Sequence, residues 1–139
     1  MRVITYGLAY VVTAVVLLGL DIVWLSLAGT WLYRPLLGPI LRPDFDPVAA
    51  VLFYLIYVAG IVVFVIAPSL PQAGWRRVAV RGAFFGVVAY GSYDLTNQAT
   101  LVHWPVIVTI PDLCWGAFLT ATAATLAHAA VVRIARPGR

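Results

Sequence analysis

Four apolar stretches, at residues 4–28, 47–67, 79–101 and 105–132, alternate along the chain with short segments that hold most of its charge. Each stretch supplies the ~20 helical residues that cross a ~30 Å hydrocarbon core. In such a solvent every backbone N–H and C=O needs an internal partner, so runs of this length predict helices and not strands. The pattern predicts an all-α integral membrane protein: one transmembrane domain over 1–139, built as a four-transmembrane-helix bundle. The first stretch follows Arg2, and Ser26-Leu27-Ala28 resembles a signal-peptide cleavage site. Its apolar run is too long for a signal-peptide core and carries Asp21, so it is read as a retained span.

Composition agrees. The chain is 63% hydrophobic and 10% charged, outside the range of soluble domains. Its cations are all arginine and its anions all aspartate, and this small set would have to clothe a whole soluble surface. The formal charge of +4 could suggest nucleic acid, but the arginines are divided among helix ends and form no single basic stripe, so no nucleic-acid partner is expected. They read as topology signals. Arg2, Arg76, Arg77, Arg81, Arg133, Arg136 and Arg139 fall on one side of the spans, and Arg34 and Arg42 on the other. That bias predicts an N-in/C-in arrangement. Arginine without lysine, beside many alanines, suggests a GC-rich bacterial genome and hence the bacterial cytoplasmic (inner) membrane. Cys114 is alone, which excludes an intrachain disulfide and a cysteine metal cluster.

The link 29–46 carries Pro35, Pro39 and Pro43, with Pro47 next in the same four-residue rhythm, a spacing that forbids a continuous α-helix. With Trp31, Tyr33 and Phe45 among leucines and isoleucine, it is expected to be a Pro-rich interfacial segment, an outer connector between helices 1 and 2 that could act as a lid. Gly82-Ala83-Phe84-Phe85-Gly86 is a small-xxx-small pattern suited to close helix packing. Pro111 falls inside the fourth span, one residue before Asp112.

Position along a helix converts to depth at ~1.5 Å per residue. The first and third spans run outward, and Asp21 and Asp94 each lie about seven residues, ~10 Å, short of the outer end. The fourth runs inward from Pro105, so Asp112 is ~10 Å deep as well. Tyr54 and Tyr57, three residues apart on the second span, reach the same level, and Tyr90, Tyr93 and Asn97 surround Asp94. The expected result is one Asp/Tyr/Asn layer in the outer half of the bilayer. An ionised carboxylate in lipid costs at least ~2.5–3.5 kcal/mol, so the three acids must face inward. There a proton, hydrogen bonds, a cation, or Arg34 or Arg42 reaching inward would have to compensate them. Asp21, Asp94 and Asp112 with His103 would make an oxygen-rich metal set, but they come singly from different segments and lack a metal-ligand spacing, so no metal is assigned and no cofactor can be named. His103 beside Trp104 reads as an interfacial histidine, and His128 as a helix-terminal one.

Asp21-Ile22-Val23-Trp24 and Asp112-Leu113-Cys114-Trp115 share a D-x-x-W pattern. Trp24 and Trp115 each lie one turn from an acid, where an indole can stack on a ligand, donate through its N–H, or serve as filler and anchor. An inverted repeat would put one acid in each half of the membrane, and here both fall in the outer half.

Leu20-Asp21-Ile22-Val23-Trp24-Leu25, Leu52-Phe53-Tyr54-Leu55-Ile56-Tyr57, Tyr93-Asp94-Leu95-Thr96-Asn97-Gln98-Ala99-Thr100-Leu101 and Asp112-Leu113-Cys114-Trp115-Gly116 together resemble a family of small bacterial integral membrane proteins catalogued as domain of unknown function 2177. The resemblance spans nearly the whole chain, and the Tyr93–Asn97 run is its most specific part. It implies a membrane protein and brings no activity with it.

Three functions compete. The leading one is binding, or chemical modification, of a lipophilic small molecule or lipid at the polar layer, with Asp94, Asp112 and Asp21 as acid and base and Tyr54, Tyr57, Tyr90, Tyr93, Asn97, Trp24 and Trp115 holding the ligand. A proton-coupled transporter or channel subunit is the second, which would call for a homo-oligomer to complete a path. A structural or accessory membrane subunit, whose acids only fasten the bundle, is the third. Membrane lipids are partners in every case.

Overall fold

Long apolar runs propagate as helix, because each added residue closes a backbone hydrogen bond that lipid cannot supply. In the computed structural model, which describes residues 2–70 and 74–135, these runs become α1 (Arg2–Ala28), the short α2 (Arg34–Leu37), α3 (Pro47–Ile61), α4 (Trp75–Thr100) and α5 (Val106–Ala135). Among the described residues there is no strand. Three helical segments are long and apolar enough to cross a membrane: Val3–Ile40 with 38 residues, Pro47–Ser69 with 23 and Val106–Ile134 with 29. At 26 residues α4 has the length. It begins earlier than expected, and Arg76, Arg77, Arg81, Asp94, Asn97 and Gln98 make it too polar to qualify on composition.

The largest departure from expectation follows α1. Residues 29–40 are helical and not a loop of turns: a π turn at Gly29–Tyr33 leads into α2, and a 3-10 turn at Gly38–Ile40 ends the run. Pro35 should break a regular α-helix. The π turn just before it widens the backbone, with the Arg34 N–H reaching Gly29 O, and so eases the carbonyls away from the proline ring. The same device recurs at the end of α3, where a π turn at Val62–Ile66 precedes the 3-10 turn holding Pro68. Only 41–46 remains non-helical between α2 and α3. Asp46 then caps α3, accepting from the N–H groups of Val48 and Ala49 at 3.1 and 3.2 Å, with Pro47 pre-set at the first helical position.

The helices meet most extensively along α4 and α5, with α1 against α5 next. Gly82 and Gly86 are the reason. A Cβ at Gly86 would lie 2.0 Å from Gly116 O, and one at Gly82 would lie 2.9 Å from the Cα of Ala121, so the small-xxx-small face is where backbone touches backbone. Leu17, Ile61, Val65, Ile66, Leu119, Ala123, Ala124 and Ala127 fill the core between α1, α3 and α5. Ile4, Ile56, Phe64, Phe84, Ile107 and Ile134 project outward, as lipid-facing residues do. His128 is not helix-terminal as expected. It is buried two turns before the end of α5, with Nε2 3.3 Å from the Ser69 carbonyl, and Arg81 donates to Ser69 Oγ at 3.3 Å, tying the α3–α4 connection to both later helices.

Replacing Gly86 by leucine should force α4 from α5 and cost about 1–3 kcal/mol or more, read as a lower unfolding temperature in detergent. Gly19→Ala, where an added Cβ meets nothing within 4 Å, should leave that temperature unchanged.

Candidate functional site

Asp21, Asp94 and Asp112 are all buried, although they come from α1, α4 and α5. Asp21 is the best provided. Tyr54 of α3 donates to its Oδ2, and Trp115 of α5 donates from Nε1 to its Oδ1 at 3.0 Å. Asp112 receives the Tyr33 hydroxyl at Oδ1. Tyr33 in turn accepts from Trp24 Nε1 at 2.8 Å, so this one hydroxyl passes a hydrogen bond from an indole to a carboxylate.

The two D-x-x-W segments therefore serve each other. Trp115 supports the acid of α1 directly, and Trp24 supports the acid of α5 through Tyr33. Their rings lie face to face, centroids 4.7 Å apart and planes 8° from parallel. Offset stacking of this kind adds about 0.5–1.5 kcal/mol beyond area burial. The indoles thus donate hydrogen bonds, and their stacking partner is each other.

Asp94 differs. It is 0% exposed, and among the described residues neither of its carboxylate oxygens has a hydrogen-bond donor. The Asp94 and Asp112 carboxyls face each other within hydrogen-bonding reach, and Asp21 is near enough to act on Asp112 electrostatically. A carboxylate offers lone pairs and no donor, so two facing carboxyls bond only while one of them keeps a proton, and otherwise need a donor or positive charge from elsewhere. Neither Arg34 nor Arg42 supplies it: Arg34 is exposed, and Arg42 pairs with Asp46 at 3.5 Å in the connector.

The remaining expected residues divide. Tyr90 packs its ring tightly against Gly116 and beside Tyr57, close to Asp21. Tyr57 is buried one layer away and bonds Thr120 Oγ1, which gives its own proton to Gly116 O at 2.7 Å. Tyr93 does not join the acids. It is 62% exposed, sets its ring edge-on to Trp104 at 5.6 Å, and has Asn97 beside it. His103 lies in the α4–α5 link, and among the described residues no three of His, Cys, Asp and Glu gather to hold a metal ion.

Tyr33 and Thr120 belong to the arrangement and were not singled out from sequence. Nine residues along a regular α-helix place Tyr33 on roughly the opposite side from Trp24. The π turn brings it back towards the acids, and no residue pattern announces that turn. Above the network Ala28, Leu32, Leu37 and Val108 form a small apolar cap with Trp24, Tyr33 and Trp104. Outside the cap a groove of about 560 Å³ runs between Leu36 and Pro39 on one side and Val102–Pro105 on the other.

An all-α chain with three membrane-length apolar helices and hydrogen-bonded acids among them is a multi-pass integral membrane protein. It belongs to the family described as predicted membrane protein (DUF2177), whose model matches residues 6–129. No curated protein and no solved structure is significantly similar to the chain.

Removing one donor from a buried carboxylate leaves it under-satisfied at a cost of about 1–3 kcal/mol. Tyr54→Phe should lower the unfolding temperature in detergent by that equivalent, whereas Tyr93→Phe should change it by less than about 0.5 kcal/mol. Trp115→Phe should also abolish the coupled-indole signal in near-ultraviolet circular dichroism.

Proposed function

We propose that the chain crosses the bacterial cytoplasmic membrane four times with both termini inside, α4 crossing as the third span beside the three more apolar ones and residues 29–46 lying at the outer interface. In that frame Asp94, Asp112 and Asp21, with Tyr54, Trp24 and Trp115, form a site in the outer half of the bilayer that binds a lipophilic small molecule or lipid and can exchange protons with it. The observation that carries this reading is Asp94. Asp21 and Asp112 have the tyrosine and indole donors that a fastening role would require, and Asp94, buried as well, faces only the Asp112 carboxyl among the described residues. An acid set against another acid holds helices together only while one of the two keeps a proton, and intramembrane acids are functional by default.

A proton path is the second reading. Thr13 of α1 and Thr125 of α5 hold buried hydroxyls without partners among the described residues, inward of the acids on each helix. Such a path would be completed by a second copy of the chain, and it requires Asp-dependent proton flux in reconstituted vesicles.

The binding reading is checked by lipid retention. Wild-type protein purified in mild detergent should carry a defined lipophilic species, detected by mass spectrometry of the extract, and folded Asp94→Asn should carry less than about a tenth as much, the loss of one charge-assisted hydrogen bond. Equal retention by both proteins would remove Asp94 from the site. Alkaline phosphatase fused at either terminus should be inactive if both ends are inside.

A further inference from the structure

Resting on the reading of Asp94 as the centre of a ligand site, we propose that the ligand is a lipophilic amine, a primary or secondary ammonium on an apolar chain, whose head sits between Asp94 and Asp112. The inference begins with charge. Three carboxyls share the interior, and among the described residues no cation forms a salt bridge with any of them. It continues with the uneven supply of donors: two on Asp21, one on Asp112 and, beyond any proton the facing Asp94 and Asp112 carboxyls keep between them, none on Asp94; an ammonium head would take that proton's place. The deficit is therefore in positive charge and in N–H or O–H donors together, and it is concentrated at one end of the network. A neutral hydroxyl would supply a donor without charge, and a quaternary ammonium a charge without a donor. A protonated amine supplies both, with two or three N–H groups to distribute over adjacent carboxylates. The ring of Tyr33 and the indole of Trp24 beside it add the aromatic character that ammonium heads favour.

The covering segment shows how such a head would enter and where its chain would lie. Tyr33 reaches Asp112 from the Gly29–Tyr33 π turn, which accommodates Pro35 and is a backbone form frequent at functional sites. Release of that one hydroxyl frees a lone pair of Asp112 beside Asp94, and the incoming N–H takes its place. The groove beyond the cap, lined by Leu36, Pro39, Val102, His103, Trp104 and Pro105, is largely apolar and gives an alkyl chain a surface next to the same segment.

The test uses three probes with one chain length: dodecylamine, dodecanol and dodecyltrimethylammonium. Binding to the purified full-length chain is measured by calorimetry, with empty micelles subtracted. Dodecylamine should bind saturably and about tenfold or more tighter than either other probe. That preference should vanish in Asp94→Asn and persist in Asp44→Asn, which removes an exposed carboxylate of the connector. If dodecanol matches dodecylamine and both need Asp94, the ammonium inference fails and the lipophile site stands. Unchanged amine binding to a folded Asp94→Asn, or no saturable amine binding to folded wild type, overturns the inference, and the site reading is then judged on lipid retention alone. Should Asp94→Asn not fold, Asp94→Glu replaces it, and the order of the three probes on wild type decides.

Discussion

A carboxyl group buried among apolar helices calls for hydrogen-bond donors, and meeting two of them organises the part of this molecule where α1, α3 and α5 converge. Asp21 draws in Tyr54 from α3 and Trp115 from α5, and Asp112 draws in Tyr33 from the segment beyond α1. Each bond joins segments that have no other polar reason to meet at that point. The stacked pair of Trp24 and Trp115 closes the arrangement, since each indole points its N–H into the half of the network anchored by the other's neighbouring acid. In a low-dielectric interior such connected bonds hold a unique arrangement, because any slip leaves a polar group stranded.

Two backbone features make the network reachable. Gly86 and Gly116 let α4 and α5 approach until a side chain on either would collide, and this brings Asp94 to Asp112. The π turn at Gly29–Tyr33 carries the helix past Pro35 and turns Tyr33 towards the acids. One acid in the network, Asp94, has no tyrosine or indole donor among the described residues, and it lies on the helix that is least apolar. The same helix carries Arg76, Arg77 and Arg81, so its polarity is concentrated at its start and again around Asp94. Helices of this kind are held by their neighbours more than by lipid, in keeping with the glycine-mediated grip of α5.

Much of this was legible in the chain. Apolar length predicted helices, the cost of a charge in lipid predicted that Asp21, Asp94 and Asp112 would turn inward, and helical spacing put Tyr54 near them; all three acids are buried and Tyr54 bonds Asp21. The small-xxx-small run announced the α4–α5 contact. What was hidden has a common cause: local backbone departures and the rotation of a helix about its axis leave no mark in a list of residue types. The four-residue proline rhythm argued for turns over 29–46, and a π turn overrode it as far as Ile40. The rhythm places Tyr33 in a connector, and the π turn makes it a donor to Asp112. Tyr93, adjacent to Asp94 in sequence, lies about 100° around the helix and faces outward. His128 was read as helix-terminal, yet the α3–α4 connection covers it.

Stability and function pull in opposite directions at a position like Asp94, as they do at many sites kept for chemistry. The most direct test of the account is the unfolding temperature in detergent of Asp94→Leu beside Asp21→Leu and Asp112→Leu, three near-isosteric removals of charge. A buried carboxyl that faces only another carboxyl is a burden that leucine relieves, whereas Tyr54, Trp115 and Tyr33 lose their acceptor when Asp21 or Asp112 is replaced. The account predicts that Asp94→Leu unfolds at or above the wild-type temperature and that the other two unfold several degrees lower, about 1–3 kcal/mol in stability. A fall for Asp94→Leu as large as that for Asp21→Leu would contradict it, by showing that Asp94 is already partnered within the fold.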